Sequence, residues 1–157
     1  MEDSMWGAIG ASSIETPNAI LQHQADIFNS NMEHLGLMCY LNISTNVNQS
    51  TEMPWSAHDA IDDPSDDDSK NKTTIKMLIN ARDLNNYTIA VARVDYLMTG
   101  IYPCKLESLL TDVSTECQDS KSFMEALRKI LSSKQVSDVI SALLTQVLEK
   151  RAIMQSK

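Results

Sequence analysis

Basic residues are missing from the first 69 positions of this 157-residue chain, although the same stretch holds twelve Asp or Glu residues. All thirteen Lys and Arg residues lie between Lys70 and Lys157, together with nine carboxylates. The formal charge is therefore −12 in the first part and +4 in the second, within a net charge of −8. This asymmetry is typical of an acidic arm on a folded body, and it predicts attraction between the two parts or to partners of opposite charge.

Glycine and proline are scarce, with four residues of each, and aromatic residues make up only 5% of the chain. Sandwiches and barrels need more tight turns than this content supports. We therefore predict an all-α protein: a C-terminal bundle of four or five short helices plus one long N-terminal amphipathic helix, joined by a disordered acidic linker. The predicted boundaries are 1–16 for a flexible docking arm, 17–43 for the amphipathic helix, 44–72 for the linker and 73–157 for the bundle.

No apolar run approaches the ~20 residues of a membrane-spanning helix, and the acidic start lacks the features of a secretory signal. The cysteines, Cys39, Cys104 and Cys117, are odd in number and show no metal-type spacing. These absences predict a reduced protein of the cytoplasm or nucleus that does not enter a membrane. Sequons favour the alternative of a secreted protein, and they begin at Asn42, Asn48, Asn71 and Asn86.

The predicted docking arm carries Met5, Trp6 and Ile9 in a segment too short to form a stable helix alone. These side chains either pack back on the body of the protein or dock into a partner's groove, with Trp6 as the anchor. We take them as partner-binding residues.

The predicted helix 17–43 begins with Thr16 as N-cap and Pro17 at its first position. Its apolar stripe repeats at spacings of four and three residues over about three heptads. A stripe of this kind either covers the core of its own domain or pairs with another chain, including a second copy of this one. The stripe consists of Leu21, Ala25, Phe28, Met32, Leu35 and Cys39, and we take Leu21, Phe28, Met32 and Leu35 as partner-binding residues.

Residues 44–72 lose this periodicity, and six Asp residues lie between Asp59 and Asp68. Such an acidic and polar composition predicts a disordered linker. Ser65 stands directly before three Asp residues and is a predicted phosphorylation site. The acidic half as a whole predicts a basic protein as a partner.

The bundle is predicted from apolar residues at helical spacing beyond residue 73. The helical segments are 75–79, 87–98, 103–113, 120–131 and 133–154. Gly100 is expected to end the second of them, Ser120 or Ser122 to cap the fourth, and Ser133 to cap the last.

Catalytic motifs are not apparent in the sequence. All three histidines lie in the N-terminal half, and no nucleophile or phosphate-loop motif occurs, so we predict no enzymatic activity, no cofactor and no metal. A basic face is predicted at Lys121, Arg128, Lys129 and Lys134. Readers of nucleic acid carry more positive charge and more stacking aromatics, so nucleic acid is not favoured as a partner.

These patterns predict a non-enzymatic helical interaction protein, an adaptor or a subunit of a larger complex. The first alternative is an acidic cofactor of a nucleoprotein particle, such as a viral one, whose acidic half engages a basic partner. The second alternative is a secreted helical cytokine-like factor, which the sequons favour.

Overall fold

The computed structural model describes residues 15–47 and 71–155. Within these two ranges the chain forms three α-helices and five β-strands. In chain order they are α1 (Pro17–Met32), β1 (Leu37–Asn46), β2 (Lys72–Ala81), β3 (Tyr87–Leu97), β4 (Gly100–Ser108), β5 (Ser114–Cys117), α2 (Ser120–Leu131) and α3 (Lys134–Gln155). Most of the predicted docking arm and most of the predicted acidic linker, including Ser65, lie outside the described residues.

The five strands form one antiparallel sheet whose spatial order, β1-β2-β3-β4-β5, follows the chain. β1 and β2 pair over their full lengths, from Leu37 opposite Ala81 to Asn46 opposite Lys72. Since these two strands lie on either side of segment 48–70, both described ranges contribute to one sheet and to one hydrophobic core.

The all-α prediction is wrong, because much of the chain beyond Gly36 has a period of two rather than a helical period. In β2 every second residue is buried, from position 73 to position 81, and the residues between them are at least partly exposed. This alternation separates the two faces of a strand. β-branched residues such as Ile75, Val91 and Val94 favour the same conformation. The helices predicted over 75–79, 87–98 and 103–113 are instead β2, β3 and β4, so the described chain contains no bundle of four or five helices.

The predicted helix 17–43 is too long. α1 begins where it was predicted, with the Thr16 hydroxyl accepting a hydrogen bond from the Ala19 backbone N–H at 3.1 Å. It ends at Met32, and a 3₁₀ turn then leads into β1. Gly36 completes the reversal, since its φ of 98° lies in the left-handed region that favours glycine.

The turn at Gly36 packs directly on α3. A Cβ atom at this position would lie 2.8 Å from Cγ1 of Val147, which leaves no room for a side chain. Arg151 of α3 strengthens this packing with two hydrogen bonds. Its guanidinium donates to the Asp83 carboxylate at 2.9 Å and to the His34 carbonyl at 3.1 Å. α3 is therefore tied both to the turn before β1 and to the turn between β2 and β3.

The last two helices agree with the predicted segments. α2 is capped by Asp119, one residue before the predicted Ser120, and the Asp119 carboxylate accepts the Ser122 backbone N–H at 2.8 Å. This hydrogen bond holds the pKa of Asp119 below its ordinary value. None of the described helices is long and apolar enough to cross a membrane.

All three helices cover the same face of the sheet. Leu21 on α1, Phe123 on α2 and Val147 on α3 are at most 1% exposed, and Ile75 and Leu106 of the sheet are fully buried. Large apolar side chains of both layers thus meet in one core.

The opposite face, which we call the open face, carries polar and charged side chains. Lys76, Arg93 and Glu107 stand side by side on β2, β3 and β4 and define it. No helix within the described ranges covers these residues, which remain at least partly exposed.

We expect Phe123→Ala to lower the free energy of unfolding by about 3–5 kcal/mol, because it removes a fully buried ring and leaves a cavity between α2 and the sheet. Met124→Ala is the matched control, since this neighbouring side chain is 40% exposed and its removal should cost less than about 1 kcal/mol. Urea unfolding of both variants measures the difference. Similar losses in the two variants would contradict the packing described for α2.

Candidate protein-interaction edge

The predicted partner-binding residues of the apolar stripe lie in or against the core. Leu21 is 1% exposed, and Phe28 and Met32 are half-buried against the same core. Leu35 is half-buried in the turn after α1. The stripe therefore offers little free apolar surface to another chain. Three further predicted partner-binding residues lie outside the described ranges, and these are Met5, Trp6 and Ile9.

The four residues of the predicted basic face are exposed, but they do not form one cluster. Arg128 lines a cavity between α1 and α2, whereas Lys129 lines another cavity that faces β5. Lys134 belongs to α3 and pairs with Asp138 at 2.9 Å, while Lys121 lies in the first turn of α2. Positive charge is thus spread around the helices.

The outer edge of β1 is the longest strand edge left open in the described structure. β1 is the first strand in the sheet order, and within residues 15–47 and 71–155 it pairs only with β2. Its ten residues, LMCYLNISTN, include no charge and no proline. Natural proteins usually protect exposed edges with charged residues, proline or shortness. The opposite edge follows that rule, because β5 has only four residues, whereas β1 carries none of these protections.

Asn29 on α1 closes the first part of this edge. Its side-chain amide donates to the Cys39 carbonyl at 2.9 Å and accepts from the Cys39 backbone N–H at 2.7 Å. Both backbone groups of Cys39 therefore point away from β2. Since alternate residues of a strand direct these groups to the same side, the backbone groups of Leu41, Ile43 and Thr45 also point outward.

Leu41, Ile43 and Thr45 form what we call the free window of β1. Leu41 is half-buried, and every residue from position 42 to position 47 is exposed. Ile43 is 50% exposed on the helix side of the sheet, and Tyr40 is 42% exposed on the open face. The free window thus combines outward-pointing backbone groups with apolar side chains that solvent reaches.

The charges of the open face are concentrated one or more strands away from this edge. Arg93 lies 3.3 Å from the Asp95 carboxylate and 3.9 Å from that of Glu107. Asp95 also accepts the Thr74 hydroxyl at 2.6 Å. These contacts fix charged residues on β3 and β4, so no charge of the open face lies on β1 itself.

The cavities show no assembled catalytic group in the described part of the chain. A cavity of about 360 Å³ between α1 and α2 is lined by Glu15, His23 and Arg128, which make no hydrogen bond or ion pair with one another. A second cavity, of about 250 Å³, reaches the Cys39 thiol, whose pKa burial raises to about 12. Across both described ranges, no three His, Cys, Asp or Glu side chains are grouped as in a metal site.

Comparisons with known proteins do not supply a function. No protein-family model, no curated protein and no solved structure matches this chain. Functional inference therefore rests on the geometry of the chain itself.

Sequence reasoning missed the free window, because β1 was divided between the predicted helix and the predicted linker. A local signal was present: the run from Leu41 to Thr45 contains Ile43 and Thr45, which are β-branched, and no strong helix former after Leu41. Its position at the edge of the sheet could not be read locally, since that depends on where the other four strands lie.

We expect Asn29→Ala to destabilise the fold by about 1–3 kcal/mol, because it leaves the Cys39 N–H and C=O without their partner. Asn31→Ala on the same helix is the matched control: both variants gain the same helix propensity, but Asn31 is exposed. Thermal and urea unfolding measure the difference. Equal stability of the two variants would show that the Asn29 contact does not hold β1.

Proposed function

We propose that this protein is a non-enzymatic interaction subunit that assembles through the outer edge of β1, and that the strand added to this edge is β1 of a second copy of the chain. The observation that carries the proposal is the free window on an uncharged edge strand. Unpaired N–H and C=O groups on an edge are a template for an added strand, and main-chain hydrogen bonds then supply affinity.

The free window is complementary to itself in an antiparallel arrangement centred on Ile43. Ile43 then stands opposite Ile43 of the copy, and Leu41 stands opposite the copy's Thr45. Each such pair exchanges two backbone hydrogen bonds, so the three outward-pointing residues of each copy are all satisfied. The two Ile43 side chains, each 50% exposed in the single chain, cover one another.

The position of Asn29 supports this register. In the paired arrangement the two Cys39 residues, each held by its own Asn29, lie eight positions apart, or about 27 Å along the strand direction. The free windows of the two copies occupy the space between them. A two-fold axis perpendicular to the sheet keeps both helical layers on one side, which joins two five-stranded sheets into one continuous sheet.

Charge affects this association mainly at long range. Each chain has a formal charge of −8, so two copies repel one another in dilute salt. β1 itself carries no charge, and screening acts over about 10 Å at 0.1 M salt. Self-association should therefore strengthen as salt is added, whereas binding of a basic partner by the acidic half should weaken.

We expect the full chain to dimerise in the micromolar range and Ile43→Pro to weaken the dimer by roughly 30-fold. Proline removes the central N–H from each copy, and two hydrogen bonds at about 1 kcal/mol each correspond to that factor. The β1–β2 ladder should survive, because the lost N–H points outward and edge strands tolerate proline there. Ile43→Thr, which keeps both the N–H and the β-branch, is the matched control. Sedimentation velocity and light scattering measure the association.

Hydrogen exchange distinguishes a second copy of the chain from other occupants of the β1 edge. Dimerisation should slow the amide exchange of Leu41, Ile43 and Thr45 in a concentration-dependent way. A monomeric full chain at all concentrations tested would overturn the proposal. If the same amides were nevertheless protected in that monomer, another segment of the chain would be the occupant. An unchanged dimer in Ile43→Pro would place the interface elsewhere.

A further inference from the structure

Two of the three cysteines face each other across the last two strands of the sheet. Cys104 on β4 stands directly opposite Cys117 on β5 in the strand register. Both side chains lie on the core side, beneath α2, and are 2% and 0% exposed. Both are free thiols. No feature of the proposed interface uses them.

The strand ladder places the Cα atoms of this pair at a separation that a disulfide can span. The Ser108 backbone N–H donates to the Val113 carbonyl at 2.9 Å, which makes these two opposing residues a hydrogen-bonded pair. Hydrogen-bonded and non-hydrogen-bonded pairs alternate along an antiparallel ladder, so four positions along, Cys104 and Cys117 are again a hydrogen-bonded pair. The Cα atoms of such pairs lie about 5.5 Å apart, within the range of about 4.4–6.8 Å that disulfides span.

The two thiols also influence each other's ionisation. Burial raises the pKa of Cys104 to about 12, and the neighbouring Cys117 contributes to that rise. Burial likewise raises the pKa of Cys117, but the nearby Cys104 thiol works in the opposite direction. Cys117 is therefore the better placed of the two to become the attacking thiolate.

We propose that Cys104 and Cys117 are a modification site, at which a low-molecular-weight disulfide such as oxidised glutathione converts the two thiols into an intramolecular disulfide. The Cys117 thiol loses its proton, and its sulfur attacks one sulfur of the oxidant, which releases the first glutathione thiol. The Cys104 sulfur, also deprotonated, then attacks the Cys117 sulfur of the mixed disulfide and releases the second glutathione thiol. Two protein thiols are oxidised and one glutathione disulfide is reduced to two thiols.

Access to the buried pair comes through β5. This strand has only four residues and forms an edge of the sheet, so few main-chain bonds must open to expose Cys117. Once formed, the disulfide joins β5 to β4 two residues before Asp119, the N-cap of α2.

Cys39 provides a control within the same chain. It is also buried, at 4% exposure, but it lies on β1, at the opposite edge of the sheet from β5. Three strand spacings separate β1 from β4, or about 14 Å, which no disulfide spans. The folded protein should therefore oxidise to one specific disulfide and keep Cys39 as a thiol.

The test is to incubate the full native chain with oxidised glutathione, block the remaining thiols with iodoacetamide after denaturation, and digest with trypsin. Cleavage after Lys and Arg separates the cysteines into peptides 1–70, 94–105 and 106–121. We expect peptides 94–105 and 106–121 to be recovered as one disulfide-linked species, about 2 Da lighter than the sum of the two free peptides. Peptide 1–70 should carry an alkylated Cys39.

The same incubation in denaturant should add disulfides that involve Cys39, because the fold no longer selects the pair. Under native conditions, Cys39→Ala should form the same Cys104–Cys117 disulfide as the wild-type chain. Cys117→Ala should form no intramolecular disulfide under those conditions. The wild-type digest decides the question even if a variant fails to fold. Three alkylated cysteines, stable glutathione adducts or a native disulfide to Cys39 would each overturn the proposal.

Discussion

Burial of a single face of the sheet is the constraint on which the rest of this molecule depends. Ile75, Val94 and Leu106 stand next to one another on the three central strands and are fully buried. Such a row of apolar side chains must be covered, and a one-sided antiparallel sheet is covered by packing helices on that side. The positions of all three helices follow from this requirement. Gly36 and Arg151 help to satisfy this requirement. Gly36 has no side chain to separate the turn after α1 from α3, and Arg151 of α3 donates a hydrogen bond to that turn.

The two sheet edges left by this arrangement differ in ways that matter for both proposals. β1 is long and uncharged, and among the described residues Asn29 takes the place of a neighbouring strand at Cys39. β5 is short, so it exposes little main chain but is held by few bonds. The first edge is therefore suited to adding a strand, and the second is suited to local opening that exposes a thiol pair. The two proposals thus place strand addition at one edge of the sheet and thiol oxidation at the opposite edge.

Helix starts were predictable because capping is local. Thr16 and Pro17 mark the beginning of α1 within a few residues, and the region around Ser122 marks α2 in the same way. The strands were missed where local pattern imitates a helix. Cys39 continues the spacing of the α1 stripe although it belongs to β1, so a core position on a strand was assigned to a helix.

The bulge in β3 had the same effect. Val91 and Ala92 are both buried because the register with β2 shifts there, which breaks the strict alternation of a strand. Tyr87, Val91 and Val94 then repeat as a helix would. The free window was beyond prediction for a different reason: strand neighbours are a property of the whole sheet, and no local pattern at Ile43 reports that its outer side has no neighbour in the described chain.

The strand order also bears on how the molecule assembles during synthesis. β2 to β5 pair with their chain neighbours across short turns, whereas β1 must find β2 across residues 47–71. Closing a longer loop costs more chain entropy, so local pairings form more readily than distant ones. We expect the part of the chain translated first, α1 with β1, to be the last to join the sheet. Until it does, the backbone groups of β2 that pair with β1 in the finished sheet wait for their partners.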